Sequence, residues 1–193
     1  MTVRPATDRD LDAIATLHAV RISEGFLSSL GPRFLRRLYR RVLRSPGCFV
    51  FVATSDDEVD GFVAAVDNVT ALYKRFMLRD GIVAGLAAAP RLAVAVPRVI
   101  ETLRYPAATT ELPDAEILAV AVAASSGGRG VGRSLVAAAV AEFAARTVTA
   151  VKVVTTADNS AALAMYRACG FETAARVEVH SGRESEVLVW TAS

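Results

Sequence analysis

The stretch of this chain that most constrains its fold runs from Glu116 to Ala145, EILAVAVAASSGGRGVGRSLVAAAVAEFAA. Its first part is apolar at nearly every position, as a strand buried on both faces must be. Its last part, from about Val131 to Arg146, is rich in alanine and reads as a helix. The turn between them holds Gly127, Gly128, Gly130 and Gly132, with Arg129 and Arg133. A helix N-terminus carries unpaired N–H groups and roughly half a positive charge. Glycines let such a backbone approach an anion closely, and the arginines add charge. A Walker A loop would continue with lysine after its last glycine, and here Arg133 follows Gly132. A dinucleotide fingerprint would need glycine where Leu135 stands. Two readings remain open: a pyrophosphate cradle of another type, and a plain strand-to-helix turn.

Strands and helices surround this unit. Val3 to Pro5 predicts a first strand. Thr7 and Asp8 then cap a helix reaching about Ile22, with Leu11, Ile14 and Leu17 on one face. PRFLRRLYRRVLR, from Pro32 to Arg44, has a helical apolar stripe of Phe34, Leu35, Leu38, Tyr39, Val42 and Leu43. Its remaining positions are Arg33, Arg36, Arg37, Arg40, Arg41 and Arg44. CFVFVATSDDEVDGFVAAVD predicts a hairpin with an acidic turn. VTAVKVVTT is a further strand, and NSAALAMYRACGF a helix that Gly170 terminates. Glu172 to Thr191 supplies two closing strands around HSGRE. An insertion, read as helical, spans about Asn68 to Thr110. Its segment from Ala71 to Tyr105 carries six basic residues against two acidic, a local balance of +4.

Composition narrows the class. With 193 residues, 53% of them hydrophobic, the chain is expected to form one mixed α/β domain over residues 1–193. A net charge of +2 gives no ground for a nucleic-acid partner. Cys48 and Cys169 form neither a disulfide framework nor a metal-ligand spacing, so a cytoplasmic protein without a metal is expected. The opening MTVRPATDRD lacks the apolar core of a signal peptide. Ile82 to Ile100 is long enough to span a bilayer, but Arg91 sits at its centre and Pro90 and Pro97 interrupt it. Two short helices packed on protein are expected there, and no membrane partner.

Gly130-Val131-Gly132, then Asn159, Tyr166 and the pair Gly170-Phe171, resemble the motifs of the GNAT family, the Gcn5-related N-acetyltransferases. The opening VRPATDRDLDAIATLH and the hairpin's DGFVAAV also look like this family, so the resemblance covers most of the chain except the insertion. One position departs: the family's loop begins with Gln or Arg, and Gly127 stands here. The resemblance implies a GNAT fold: a mixed, mostly antiparallel, twisted sheet of about seven strands with splayed central strands, flanked by helices. It implies acetyl-CoA as co-substrate and transfer of its acetyl group to a primary amine by direct attack in a ternary complex, without a covalent acyl-enzyme.

The same resemblance distributes the roles. Val120, Ala121 and Val122 would pair with the pantetheine arm. Gly127, Gly128, Arg129, Gly130, Val131, Gly132, Arg133 and Ser134 would hold the pyrophosphate. Asn159, Ala162 and Tyr166 would complete the donor site, with Tyr166 giving a proton to the departing thiolate. Glu116 is the candidate general base, with an exposed carboxylate at a strand entrance as the plain alternative. A water-relayed base would serve equally. Asn159 has helix capping as its plain role, and Tyr166 core packing. Glu24, Phe26 and Tyr73 are candidate acceptor contacts. His18 and His180 read as structural or surface residues, and Cys169 as packing.

Three functions remain to be separated. A small-molecule amine is the expected acceptor. A macromolecular amine, on a protein or an aminoacyl-tRNA, is the second reading, and a non-catalytic acyl-CoA-binding module the third. The arginine-rich helix fits either an anionic acceptor or an ordinary solvated face, and the insertion could form a homodimer surface.

Overall fold

The computed structural model of the protein describes residues 1–22, 26–79, 112–178 and 184–192. Strand β1 (Thr2–Pro5) leads through a 3-10 turn (Asp8–Asp10) into helix α1 (Leu11–Arg21). Two short-range features fix this entry. Thr7 and Asp10 form a reciprocal capping box. Arg4 donates two hydrogen bonds, of 2.9 and 2.8 Å, to the Asp10 carboxylate. That guanidinium outweighs burial and holds the Asp10 carboxyl down at about 2.

Helices α2 (Phe26–Ser29) and α3 (Pro32–Leu43) follow, then strands β2 (Cys48–Ser55) and β3 (Glu58–Val66). The acidic turn predicted between these strands is a two-residue loop, Asp56 and Asp57, both at positive φ (51° and 65°). Such a turn matches the right-handed twist of the strands it joins. Helix α4 (Val69–Arg79) opens the insertion, capped by the Asn68 side chain, which accepts the Ala71 N–H at 2.7 Å. The two short helices expected within Ile82 to Ile100 lie outside the described residues. Strand β4 (Glu116–Val122), helix α5 (Val131–Ala145), strand β5 (Ala150–Thr156), helix α6 (Ser160–Ala168) and strands β6 (Glu172–Glu178) and β7 (Glu184–Thr191) complete the chain.

The strands form one open sheet of seven, in the order β1-β2-β3-β4-β5-β7-β6. Every neighbouring pair is antiparallel except β4 and β5. This is the mixed, mostly antiparallel sheet that the resemblance implies. Alternation along β2 and β3 sends successive side chains to opposite faces. Val50, Val52, Phe62 and Ala64 meet Leu11 and Ile14 of α1 and Tyr39 and Val42 of α3. Phe49, Ala53, Val63 and Ala65 meet Leu135, Ala139 and Phe143 of α5 on the other side, where Leu163 and Tyr166 of α6 join them.

His18 is buried, which settles its place in the structure. Its Nδ1 lies 2.6 Å from the Tyr39 hydroxyl, and the Tyr39 ring packs edge-on to Phe62 at 5.2 Å. Burial lowers the His18 pKa to about 4, so the folded protein holds the ring neutral. An unfolded histidine takes up a proton from about pH 6.5 downward. The folded pKa is therefore the lower one, and stability is lost as pH falls from about 6.5 through about 4. Urea unfolding across pH 7.5 to 4.5 should show this loss, and His18→Gln should remove much of the slope. An unchanged slope in that variant would refute the assignment.

Candidate functional site

The centre of the sheet opens as a fork. Strands β4 and β5 pair at only two rungs, Glu116↔Lys152 and Ile117↔Val153. The cause lies on the opposite edge of β4. Against β3, Ala64 faces Ala119 and Ala65 faces Ile117, so Leu118 is an extra, bulged residue. A bulge bends its strand and increases local twist. Beyond Leu118, β4 keeps its bonds to β3 and leaves β5. The predicted splay of Val120 to Val122 is present, and the β5-facing backbone edge of these residues has no strand partner among the described residues.

The closed end of the fork is stapled by Lys152. Its backbone N–H donates to the Ala115 carbonyl at 2.9 Å, its Nζ donates to the Pro113 carbonyl, and Nζ lies 3.5 Å from a Glu116 carboxylate oxygen. Glu116 is thus not the exposed carboxylate of the plain alternative; both side chains are largely buried. Burial raises the Glu116 pKa, and the Lys152 ammonium opposes that rise.

The open end faces the glycine turn. Residues Ala124–Ser126 form a 3-10 turn, and Gly127 to Gly130 are exposed. Gly128 and Gly130 stand at φ +72° and +79°, with open space where a Cβ would point. Glycine is required there for backbone conformation alone. Gly132 has a packing reason of its own. A Cβ on it would lie 2.6 Å from Met165 Sδ, so this glycine lets α5 pack closely on α6. Gly127 has ordinary angles, φ −61° and ψ 146°, and needs no left-handed freedom. The first helical bond of α5 runs from the Ser134 N–H to the Gly130 carbonyl at 3.0 Å. The N–H groups of Val131, Gly132 and Arg133 precede that ladder. Val131 buries its side chain, whereas Arg129 and Arg133 are exposed.

Helix α6 carries the other motif residues. Asn159 is its N-cap, accepting the Ala162 N–H at 3.1 Å, so both groups are engaged with each other. At the far end, Gly170 adopts φ +86°, its N–H bonds Arg167, and the Phe171 N–H bonds the Tyr166 carbonyl. This is a Schellman ending, in which the residue after the glycine packs on the last turn. Phe171 does so, with its ring 5.6 Å from that of Tyr166. The Gly-Phe pair therefore fixes the tyrosine. Tyr166 is only 5% exposed and shares a core cluster with Ile117 and Val153, the fork's last paired rung. Burial raises its pKa above that of a free phenol.

Glu24 lies outside the described residues, Phe26 begins α2 and Tyr73 lies on α4, with the side chains of both outside the description. His180 lies outside it as well. Of the arginines from Arg33 to Arg44, Arg36 pairs with Asp12 at 2.6 Å and Arg44 with Asp8 at 2.8 Å. Among the described residues no helix is long and apolar enough to cross a membrane, and no cluster of three or more metal-ligating side chains occurs.

Sequence reasoning missed Lys152, Leu118 and Asp60. A lysine inside VTAVKVVTT was a readable signal, because a charge in a buried strand needs a partner. The bulge at Leu118 carries no comparable mark. Asp60 is buried and accepts hydrogen bonds from the Ser55 and Ser126 hydroxyls.

Comparison with known proteins places these observations. The sequence profile of the Acetyltransferase (GNAT) family matches residues 19–171. No curated protein matches the chain by sequence. Among solved structures, a ribosomal-protein-alanine N-acetyltransferase from Brucella melitensis superposes with a TM-score of 0.66 at 18% identity, covering 100% of both chains. A spermidine N-acetyltransferase from Vibrio cholerae gives 0.63 at 14% identity, over 99% of this chain and 95% of that one. A Bacillus anthracis protein solved in complex with acetyl coenzyme A gives 0.54 at 16% identity, over 80% and 68% of the two chains.

The three loop glycines with distinct geometries can be separated experimentally. Gly128→Ala and Gly130→Ala should each cost about 1–2 kcal/mol of stability, the penalty for a Cβ in the left-handed region. Gly127→Ala should cost less than either, since its angles suit any residue and its Cβ would meet only the Ala124 carbonyl oxygen, at 3.3 Å. Equal costs at all three positions, read from urea midpoints, would contradict these backbone angles.

Proposed function

The chain belongs to the GNAT acetyltransferase family, and on that footing we propose that it moves the acetyl group of acetyl-CoA to a primary amine by direct attack in a ternary complex. The single observation that carries this reading is the fork, whose open end adjoins the N-terminus of α5. An extended thioester arm needs backbone partners along its length, and Val120 to Val122 offer an unpaired strand edge. A pyrophosphate needs convergent N–H donors, and Val131, Gly132 and Arg133 offer them, with the Arg129 and Arg133 guanidinium groups nearby in sequence. The whole chain acts as one catalytic unit in this proposal, in the cytoplasm.

Each chemical step then falls to a residue. The amine must be neutral to attack. Glu116, whose pKa burial raises and the Lys152 ammonium restrains, accepts the amine proton in its ionised form, directly or through a water. An N–H on the free edge of β4 stabilises the oxyanion of the tetrahedral intermediate. Tyr166, fixed by Phe171, gives its proton to the departing thiolate. Asn159 orders the first turn of α6, on which Tyr166 lies two turns further along. The acceptor is a small amine, in keeping with the spermidine enzyme among the structural neighbours. The ribosomal-protein enzyme among them makes peptide N-termini the natural second panel.

Calorimetry with acetyl-CoA, followed by an amine and peptide screen with thiol-release detection, tests the reading. Micromolar binding with turnover is expected. Tyr166→Phe and Glu116→Gln should each lower turnover about 100-fold or more while leaving acetyl-CoA binding within a few-fold. Binding without turnover on any amine would leave an acyl-CoA-binding module, and no binding would overturn the donor site itself. Activity should rise with pH as Glu116 loses its proton. Removing the ammonium in Lys152→Met should move that acid limb upward, because the group that opposes the raised pKa is gone. An unmoved limb would exclude Glu116 as the base.

A further inference from the structure

Asp60 is a buried carboxylate that none of the steps above uses. It is itself a bulged residue: against β2, Ala53 faces Gly61 and Thr54 faces Val59, so Asp60 has no opposite number. The bulge re-aims its side chain, and the residue is only 8% exposed. One carboxylate oxygen accepts the Ser126 hydroxyl at 2.5 Å, and the other accepts the Ser55 hydroxyl. The Asp60 carbonyl also accepts the Ala123 N–H at 2.7 Å. The chain is thus held at both ends of the 3-10 turn that immediately precedes Gly127. Gly61 makes the approach possible, since a Cβ there would lie 2.8 Å from the Ala121 carbonyl oxygen.

We propose that Asp60 is a positioning residue for the phosphate loop, through which the β2–β3 hairpin sets the loop's shape before the donor arrives. The inference rests on the reading of this loop as the donor's pyrophosphate site. A carboxylate close to an anion site works against the anion electrostatically, so its presence calls for a compensating role. Gly127, Gly128 and Gly130 make the loop entropically costly to order. Anchoring Ser126 in the free protein removes part of that cost from the binding step. The two hydroxyls hold the Asp60 carboxyl below the usual range, so it keeps its charge, and its stronger hydrogen bonds, throughout the working pH range.

The test uses the full chain and CoA itself. Asp60→Ala should weaken CoA about tenfold, and Ser126→Ala about threefold, the range expected for losing charge-assisted and single anchoring bonds. Asp60→Asn should recover most of the affinity, because its amide oxygen still accepts the Ser126 hydroxyl. Acetyl-pantetheine lacks the phosphates, and its binding, followed by NMR titration, should change less than about twofold in all three variants. Should Asp60→Ala not fold, the Asn and Ser126 variants carry the test. The proposal is overturned if CoA and acetyl-pantetheine lose affinity in step, or if the variants bind CoA as the wild type does. Failure of the wild-type protein to bind CoA overturns the loop reading, and this inference with it.

Discussion

Leu118 occupies a place in β4 that has no counterpart in β3, and the geometry of the site descends from that one extra residue. A strand in the middle of a sheet ordinarily satisfies its backbone on both sides. The bulge turns β4 while its ladder with β3 continues, so the pairing with β5 lapses after two rungs. An interior strand thereby gains a free edge within the sheet. Edges of this kind are what an extended ligand needs for main-chain hydrogen bonds. The closed end must then resist opening, and there Lys152 bonds across the two strands with its backbone and its ammonium.

The open end shows how one short motif divides its labour. Gly128 and Gly130 make the left-handed turn into α5, while Gly132 lets α6 come close. The remaining glycine, Gly127, does neither. Its backbone angles suit any residue, although a Cβ there would lie 3.3 Å from the Ala124 carbonyl oxygen. On α6 a comparable economy holds. Gly170 ends the helix, and the residue that the ending brings back, Phe171, packs on Tyr166. A helix terminator and the seat of the proposed proton donor are one structural unit.

Much of this was legible in the chain. The apolar run, the glycine turn and the alanine-rich helix declared a buried strand feeding a helix N-terminus. The motifs around Asn159 and Tyr166 pointed to the family that the profile match establishes. Asn159 was correctly placed at a helix start, where it caps. Glu116 was found at the entrance of the central strand, weighed as a partly buried base against an exposed carboxylate, and the structure buries it; its lysine was not foreseen. His18 was read as structural or surface, and the structure decides for structural. Lys152 could have been found from its apolar setting. Asp60 could not, because only a bulge turns it towards Ser126, and a bulge is a matter of register between two segments.

Read alone, the chain marked most of its strands and helices, the places where glycine must stand, and the family it joins. These are local properties, written in periodicity, capping residues and backbone freedom, and they need no distant partner. Tertiary structure alone decided that β4 and β5 part after Ile117, that Lys152 faces Glu116, and that Asp60 reaches the loop. Each depends on how one strand is set against another. A one-residue change of register leaves every local preference intact while redirecting the side chains that follow.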